Sequence, residues 1–265
     1  MKKTLLPLSA LLFSVLPMAP ANAAVLWSED FEGMTAGSLP PVQAPPGTIG
    51  INSVTSNVSG TRRTMVTDSA TSPIDPFGGT GNQSLMFEKT GTGAGTSPNV
   101  YFTTPEATLG ILTFDLYTVN SGTLTTPVFT LYTYDGGNSG QIGTFLIFSA
   151  SNVTAVPSGG AKTVSNVLST GVTQQVSLHF LANQTYSVAI NGTPLSFSGT
   201  TWLPYYSATA FSIDRIRIGS QDDANYRSQV FVDNFVLVPE PGTCVLLGLA
   251  GMAFLLNRRK RRRAD

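Results

Sequence analysis

One histidine, three carboxylates near the two ends of a strand-rich region, and one aromatic cluster have types and spacing that could do chemistry. His179 could serve as a general base or a metal ligand, but the chain offers it no partner for either role. There is no second histidine, the single cysteine is Cys244, and no G-x-S-x-G elbow presents a serine nucleophile. Zinc chemistry is excluded with the nitrogen and sulfur ligands it needs. Calcium, which takes oxygen ligands, is the metal the composition permits. Glu29, Glu32 and Asp233 could hold it if the first and last strands pair. Asp233 reads as sharing a face with Phe231, Phe235 and Leu237, where a carboxylate must find a partner. That partner could instead be Arg215 or Arg217, or backbone N–H groups at a strand end. In "TWLPYYS", Trp202, Tyr205 and Tyr206 form the candidate glycan platform. Rings of this kind stack on sugars, and they also close the edges of sandwiches.

The elements that must position these residues read as strands. Hydrophobic residues make up 42% of the 265, enough for a sizeable core, while charged residues reach only 11%, well below the ~25% usual in globular chains. "ILTFDLYTV" alternates, with Leu112, Phe114 and Leu116 on one face and Thr113, Asp115 and Tyr117 on the other. "VFTLYTY" from Val128 does the same. "TFLIFSA" from Thr144 is continuously apolar, as a strand covered on both faces would be. "QVSLHFL" sets Val176, Leu178 and Phe180 opposite His179. "TYSVAINGTPLSFSG" is a hairpin closed by Asn191-Gly192. In "FSIDRIRIGS" the parity changes between Ile213 and Ile216, which predicts a bulge near Asp214 and Arg215. "QVFVDNFVLV" is apolar on both faces and predicts a well-covered strand. Nothing from 25 to 238 has helical periodicity, and the Pro/Gly-rich stretches read as loops. The expectation is one all-β domain, a single large β-sandwich over residues 24–238.

Net charge is zero over the whole chain, but the basic residues sit at the ends. Between Ala24 and Val238, seven Lys and Arg face thirteen Asp and Glu, a net charge of about −6. Nucleic acid is therefore not an expected partner, because phosphate binding needs a basic stripe. With one cysteine there is no internal disulfide.

Both ends read as addresses. Lys2 and Lys3, the apolar stretch after them and the small residues Ala21 and Ala23 make residues 1–23 a secretory signal peptide, cut after Ala23 by signal peptidase following Sec export. At the other end, Pro239-Glu240-Pro241 precedes an apolar run over 244–256. The cluster Arg258, Arg259, Lys260, Arg261, Arg262 and Arg263 follows. The run predicts a short transmembrane helix, brief for a permanent anchor. The cluster is expected to stay cytoplasmic.

This constellation over 239–265 resembles the PEP-CTERM sorting signal. The resemblance implies recognition and cleavage by an exosortase, an inner-membrane intermediate, and export to the cell surface, outer membrane or extracellular matrix of a Gram-negative bacterium that makes exopolysaccharide. The opening "LWSEDFEG" and closing "VFVDNFVLV" loosely resemble the terminal strands of concanavalin/laminin-G-like jelly rolls. That implies paired termini, a structural calcium near them, and carbohydrate binding as one use of the fold. The Glu-x-Asp-x-x-Glu pattern of the jelly-roll glycosidases similar to laminarinases is absent, and "EDFE" does not match its spacing. The expected function is a non-enzymatic, exosortase-sorted surface or matrix protein. The alternatives are a carbohydrate-binding module and, behind it, a glycoside hydrolase or lyase.

Overall fold

A computed structural model describes residues 25–42, 49–55, 62–72, 74, 76–78, 82–89, 98–107, 109–119, 128–135, 141–149, 151–181, 183–210, 212–220 and 228–239. Among them every regular element beyond turns and bends is a strand. In chain order these are β1 (Trp27–Glu29), β2 (Gly50–Thr55), β3 (Arg62–Thr67), β4 (Ser84–Lys89), β5 (Asn99–Ala107), β6 (Gly110–Thr118), β7 (Val128–Tyr134) and β8 (Ile142–Ser149). They continue with β9 (Asn152–Ala155), β10 (Lys162–Val164), β11 (Gln174–Leu181), β12 (Thr185–Ile190), β13 (Thr193–Pro194), β14 (Leu203–Pro204), β15 (Ile213–Ser220) and β16 (Ser228–Val238).

The first sheet runs β13-β12-β11-β6-β16-β4-β3, with β1 also on β16 and β14 also on β12. The second runs β10-β9-β8-β7-β15-β5-β2. The alternation read from the sequence drives the two sheets together. Leu112, Phe114, Leu116, Val176, Leu178 and Phe180 from the first sheet meet Phe102, Phe129, Leu131, Phe148, Ile216 and Ile218 from the second in one core. The fold is thus a two-sheet antiparallel β-sandwich of jelly-roll type, the expected class. Its centre is a set of packed rings. Phe235 stacks on Phe114 at 5.0 Å and meets Trp27, Phe31 and Phe102 at 6.3, 6.2 and 5.6 Å. Such ring pairs add to the burial of each ring.

The local signals fall where the chain needs them. Asn191 (φ 50°) and Gly192 (φ 76°) both adopt the left-handed conformation between β12 and β13, as a tight hairpin requires. β15 slips register between Ile213 and Arg215, the expected bulge. The first and last strands do pair, with Trp27 opposite Leu237 and Glu29 opposite Phe235.

Two readings are corrected. β8 is covered on one face only, since Leu146 and Phe148 are buried while Phe145 and Ile147 are half-exposed. β16 breaks parity. Its register against β6 shifts between Asp233 and Val236, and Asn234 sits at φ 55°. One extra residue on one strand of a pair reverses the face of everything beyond it. Val230 and Val232 therefore share the main core with Phe235 and Leu237, while Phe231 lies on the outer face. There Phe231 packs with Met86 and Val119 in a second small apolar cluster, closed by Ile74 and Phe77. That cluster explains why β16 is apolar on both faces.

Ala24–Glu240 forms one compact unit that holds every described residue. Residues 1–24, Glu240, Pro241 and everything beyond, including 244–256 and Arg258 to Arg263, lie outside the described residues. Among the described residues no helix is long and apolar enough to cross a membrane.

Candidate functional site

The outer faces of the two sheets carry the chemistry. On the first sheet the bulge of β16 places Asp233 opposite Asp115 of β6. Like charges directly opposite in a sheet repel. Asp233 is 0% exposed. Its Oδ1 accepts from the Asn234 N–H at 2.7 Å, and its Oδ2 is buried with no hydrogen-bond partner. Asp115 Oδ2 accepts from Asn234 Nδ2 at 2.9 Å. Burial, with Asp115, Glu32 and Asp30 as neighbouring negative charges, raises the Asp233 carboxyl to a pKa of about 7.

Glu29 stands apart from this group. It is in register with Phe235, a core residue, and its Oε1 accepts from the Phe31 N–H at 3.0 Å. Burial raises its pKa. The expected trio of Glu29, Glu32 and Asp233 is thus reduced to Glu32 and Asp233, joined by Asp115 and Asp30. The cause is the bulge, which moved Asp233 to the outer face, and the turn after β1. There Phe31 (φ 58°) enters the core and leaves Asp30 and Glu32 outside. Neither Arg215 nor Arg217 approaches Asp233, since both belong to β15 in the second sheet.

This oxygen set suits a hard cation in chemistry, and the orphaned Asp233 Oδ2 is the atom that asks for one. As placed, no three acidic side chains among the described residues converge to hold a metal. Glu32 Oε1 accepts from the Gln83 N–H at 2.8 Å and Asp30 Oδ1 from the Glu32 N–H at 3.1 Å. A bound cation would draw at least one of them off its backbone donor.

On the second sheet, register builds a row of side chains across four strands. Tyr101 of β5, Arg217 of β15, Tyr132 of β7 and Phe145 of β8 are direct cross-strand neighbours on one outer face. Tyr132 stacks on Phe145 at 4.2 Å and lies 6.2 Å from Tyr134. The Arg217 guanidinium lies 4.8 Å from the Tyr132 ring centroid and 5.6 Å from that of Tyr101. Its Nε donates to Asn99 Oδ1 at 3.0 Å. Gly219 leaves the room for Asn99: a Cβ there would collide with Asn99 Oδ1 and the Pro98 carbonyl. Beside this row stands Arg215, opposite Thr103 and Tyr134, its Nε buried without a hydrogen-bond partner. Burial pushes the phenols of Tyr132 and Tyr134 above their ordinary value, with Arg217 pulling the other way. Both stay protonated and able to donate.

The structure separates the expected glycan platform. Tyr205 is core, 1% exposed, whereas Trp202 and Tyr206 are 42% and 45% exposed. Trp202 precedes β14, on the first sheet. Tyr206 donates its N–H to the Gly143 carbonyl of β8, the strand that carries Phe145. Only Tyr206 thus joins the row on the second sheet. The row itself escaped the sequence reading, because its members are scattered over more than a hundred positions. The period-2 placement of Tyr132 with Tyr134, and of Arg215 with Arg217, was its one local signal. His179 is half-buried between Ile111 and Ser187, with no carboxylate in register.

Residues 237–262 match the PEP-CTERM protein-sorting motif. The match begins on the last two residues of β16. It indicates an exported protein sorted by an exosortase. Of the expected processing tripeptide, Pro239 is described and half-buried, directly after β16. No curated protein matches the chain in sequence. Among solved structures it is similar to the cellulose-induced protein Cip1, at 12% identity and a TM-score of 0.54, over 80% of this chain and 96% of that one. It is also similar to a carbohydrate esterase from the Shiga toxin-encoding bacteriophage phi24B, at 13% identity and a TM-score of 0.50, over 82% and 100% of the two chains. At such identities the likeness concerns the fold alone.

Proposed function

We propose that this chain is a non-catalytic protein of the cell surface or extracellular matrix, exported, sorted by its C-terminal motif and associated with exopolysaccharide. The observation that carries this reading is the motif match over 237–262, which starts where β16 ends. The match overlaps only the last two residues of β16, so cleavage at or near Pro241 would leave the strand whole. Pro239 supports this division: it has no N–H to extend the ladder and restricts the residue before it. In register, His179 faces Ile111 and Ser187 and meets no acid, which favours binding over catalysis. Cell fractionation tests the reading. The sandwich is expected in the surface or matrix fraction. A chain with Pro239, Glu240 and Pro241 all changed to alanine should accumulate in the inner membrane. An unchanged distribution would contradict the proposal.

The orphaned Asp233 Oδ2 favours a second element, a structural calcium ion. To hold it, the facing pair Asp233 and Asp115 would have to draw in Glu32 or Asp30, each of which now accepts from a backbone N–H. It would neutralise facing carboxylates and tie the turn after β1 to β16, a role suited to an exported domain without disulfides.

A further inference from the structure

We propose that the row Tyr101–Arg217–Tyr132–Phe145, with Arg215 and Tyr206 beside it, binds an acidic polysaccharide laid across strands β5, β15, β7 and β8. The inference rests on the proposed association with exopolysaccharide and names the ligand class and the face that takes it.

Three features of the face point the same way. It offers aromatic surface: Tyr101, Tyr132 and Phe145 are half-exposed and Tyr206 is 45% exposed, and since Phe145 and Arg217 cover the faces of Tyr132, that ring presents its edge. Four strands at ~4.8 Å spacing make the row about 14 Å long, room for several sugar rings in sequence. Ring edges give apolar contact, while the Tyr132 hydroxyl supplies a donor for sugar oxygens.

The charge of the face runs against that of the domain. Ala24 to Val238 carries thirteen acidic and seven basic residues, yet Arg215 and Arg217 stand here together. The residues in register with them are Thr103, Tyr134, Tyr101 and Tyr132, none of them acidic. The acidic residue of β15 is Asp214, at the bulge before Arg215; none stands in register with either guanidinium. Arg217 is also held in place. Asn99 fixes its Nε, the two tyrosine rings flank it, and Gly219 keeps the space that Asn99 occupies. A guanidinium fixed at Nε still presents its terminal N–H groups, the fork that matches a carboxylate or sulfate. A neutral polymer would need the rings and leave both charges unused.

Binding of the mature exported protein should be measured by biolayer interferometry against two matched pairs of polymers. These are polygalacturonate with its methyl ester, and dextran sulfate with dextran. A single-stranded oligonucleotide serves as a further arm. At least one charged polymer is expected to bind, and its uncharged counterpart to bind at least about tenfold more weakly, the scale of one hydrogen-bonded charge pair. Binding should weaken as salt rises. Arg217→Gln, and separately Tyr132→Ala, should each lower affinity by about tenfold or more. Near-ultraviolet circular dichroism keeps the outcome readable if one variant unfolds, since the other then decides. The inference is overturned by equal binding of charged and uncharged partners, by preference for the oligonucleotide, by no binding to either charged polymer, or by folded variants that bind unchanged. Failure here with normal surface delivery leaves the sorting proposal standing, whereas retention in the inner membrane counts against sorting alone.

Discussion

Asp115 and Asp233 stand directly opposite each other on the outer face of the first sheet, one from β6 and one from β16. Only the bulge at Asn234 makes this possible, because it sends Asp233 outward while Phe235 turns into the core. Two facing carboxylates, one fully buried, need a proton or a cation.

If the cation is calcium, adding it should raise Tm. At a concentration about a hundredfold above Kd the gain is about 2.7 kcal/mol, or roughly 5–10 °C for a domain of this size. Asp233→Asn should abolish the rise. Glu29→Gln should keep it, since Glu29 caps Phe31 and faces the other way. Scanning calorimetry with calcium and with chelator checks this. A Tm indifferent to calcium contradicts the cation assignment.

In chelator the same pair sets a pH dependence. Asp233 is raised to about 7 in the folded chain, from an ordinary value near 3.8. The folded chain holds this proton more tightly than the unfolded one. The stability it contributes is therefore present below about pH 4 and lost as pH rises through about 7. Asp233→Asn carries no such charge. The parent should fall relative to the variant across that window, and urea midpoints at half-unit pH steps would show it. A constant difference between the two would contradict the assignment.

The three aromatic residues of "TWLPYYS" should respond in three ways. Tyr205→Ala empties a core position and should cost about 3–5 kcal/mol. Tyr205→Phe should be neutral or stabilising, because the buried hydroxyl has no hydrogen-bond partner. Trp202→Ala should change stability by no more than about 0.5 kcal/mol. Polymer binding should survive Trp202→Ala and weaken on Tyr206→Ala, since Tyr206 is held by its backbone to Gly143 of β8 whereas Trp202 adjoins β14 of the first sheet. Urea denaturation and polymer binding read these outcomes.

Much of the sandwich was legible because its rules are local. Alternation placed Leu112, Phe114 and Leu116 in the core, Asn191-Gly192 closed its hairpin, and the parity change near Asp214 announced a bulge. The second bulge was hidden. "VFVDNFVLV" is apolar at both parities, so no period could reveal where its face reversed. Asp233 was consequently placed beside Phe235, and Glu29 was grouped with it. The true neighbour, Asp115, sits across a pairing that only the sheet register supplies. The same holds for Arg217, whose ring partners Tyr101 and Tyr132 come from two other strands. Contacts across strands carry no short-range signature, and both candidate sites are built from them.

Mass spectrometry of the mature C-terminus tests the central claim most directly. The account predicts a chain that ends at or near Pro241, with the sandwich through Val238 intact and Arg258 to Arg263 gone. A mature surface protein that still carries those six basic residues would contradict it.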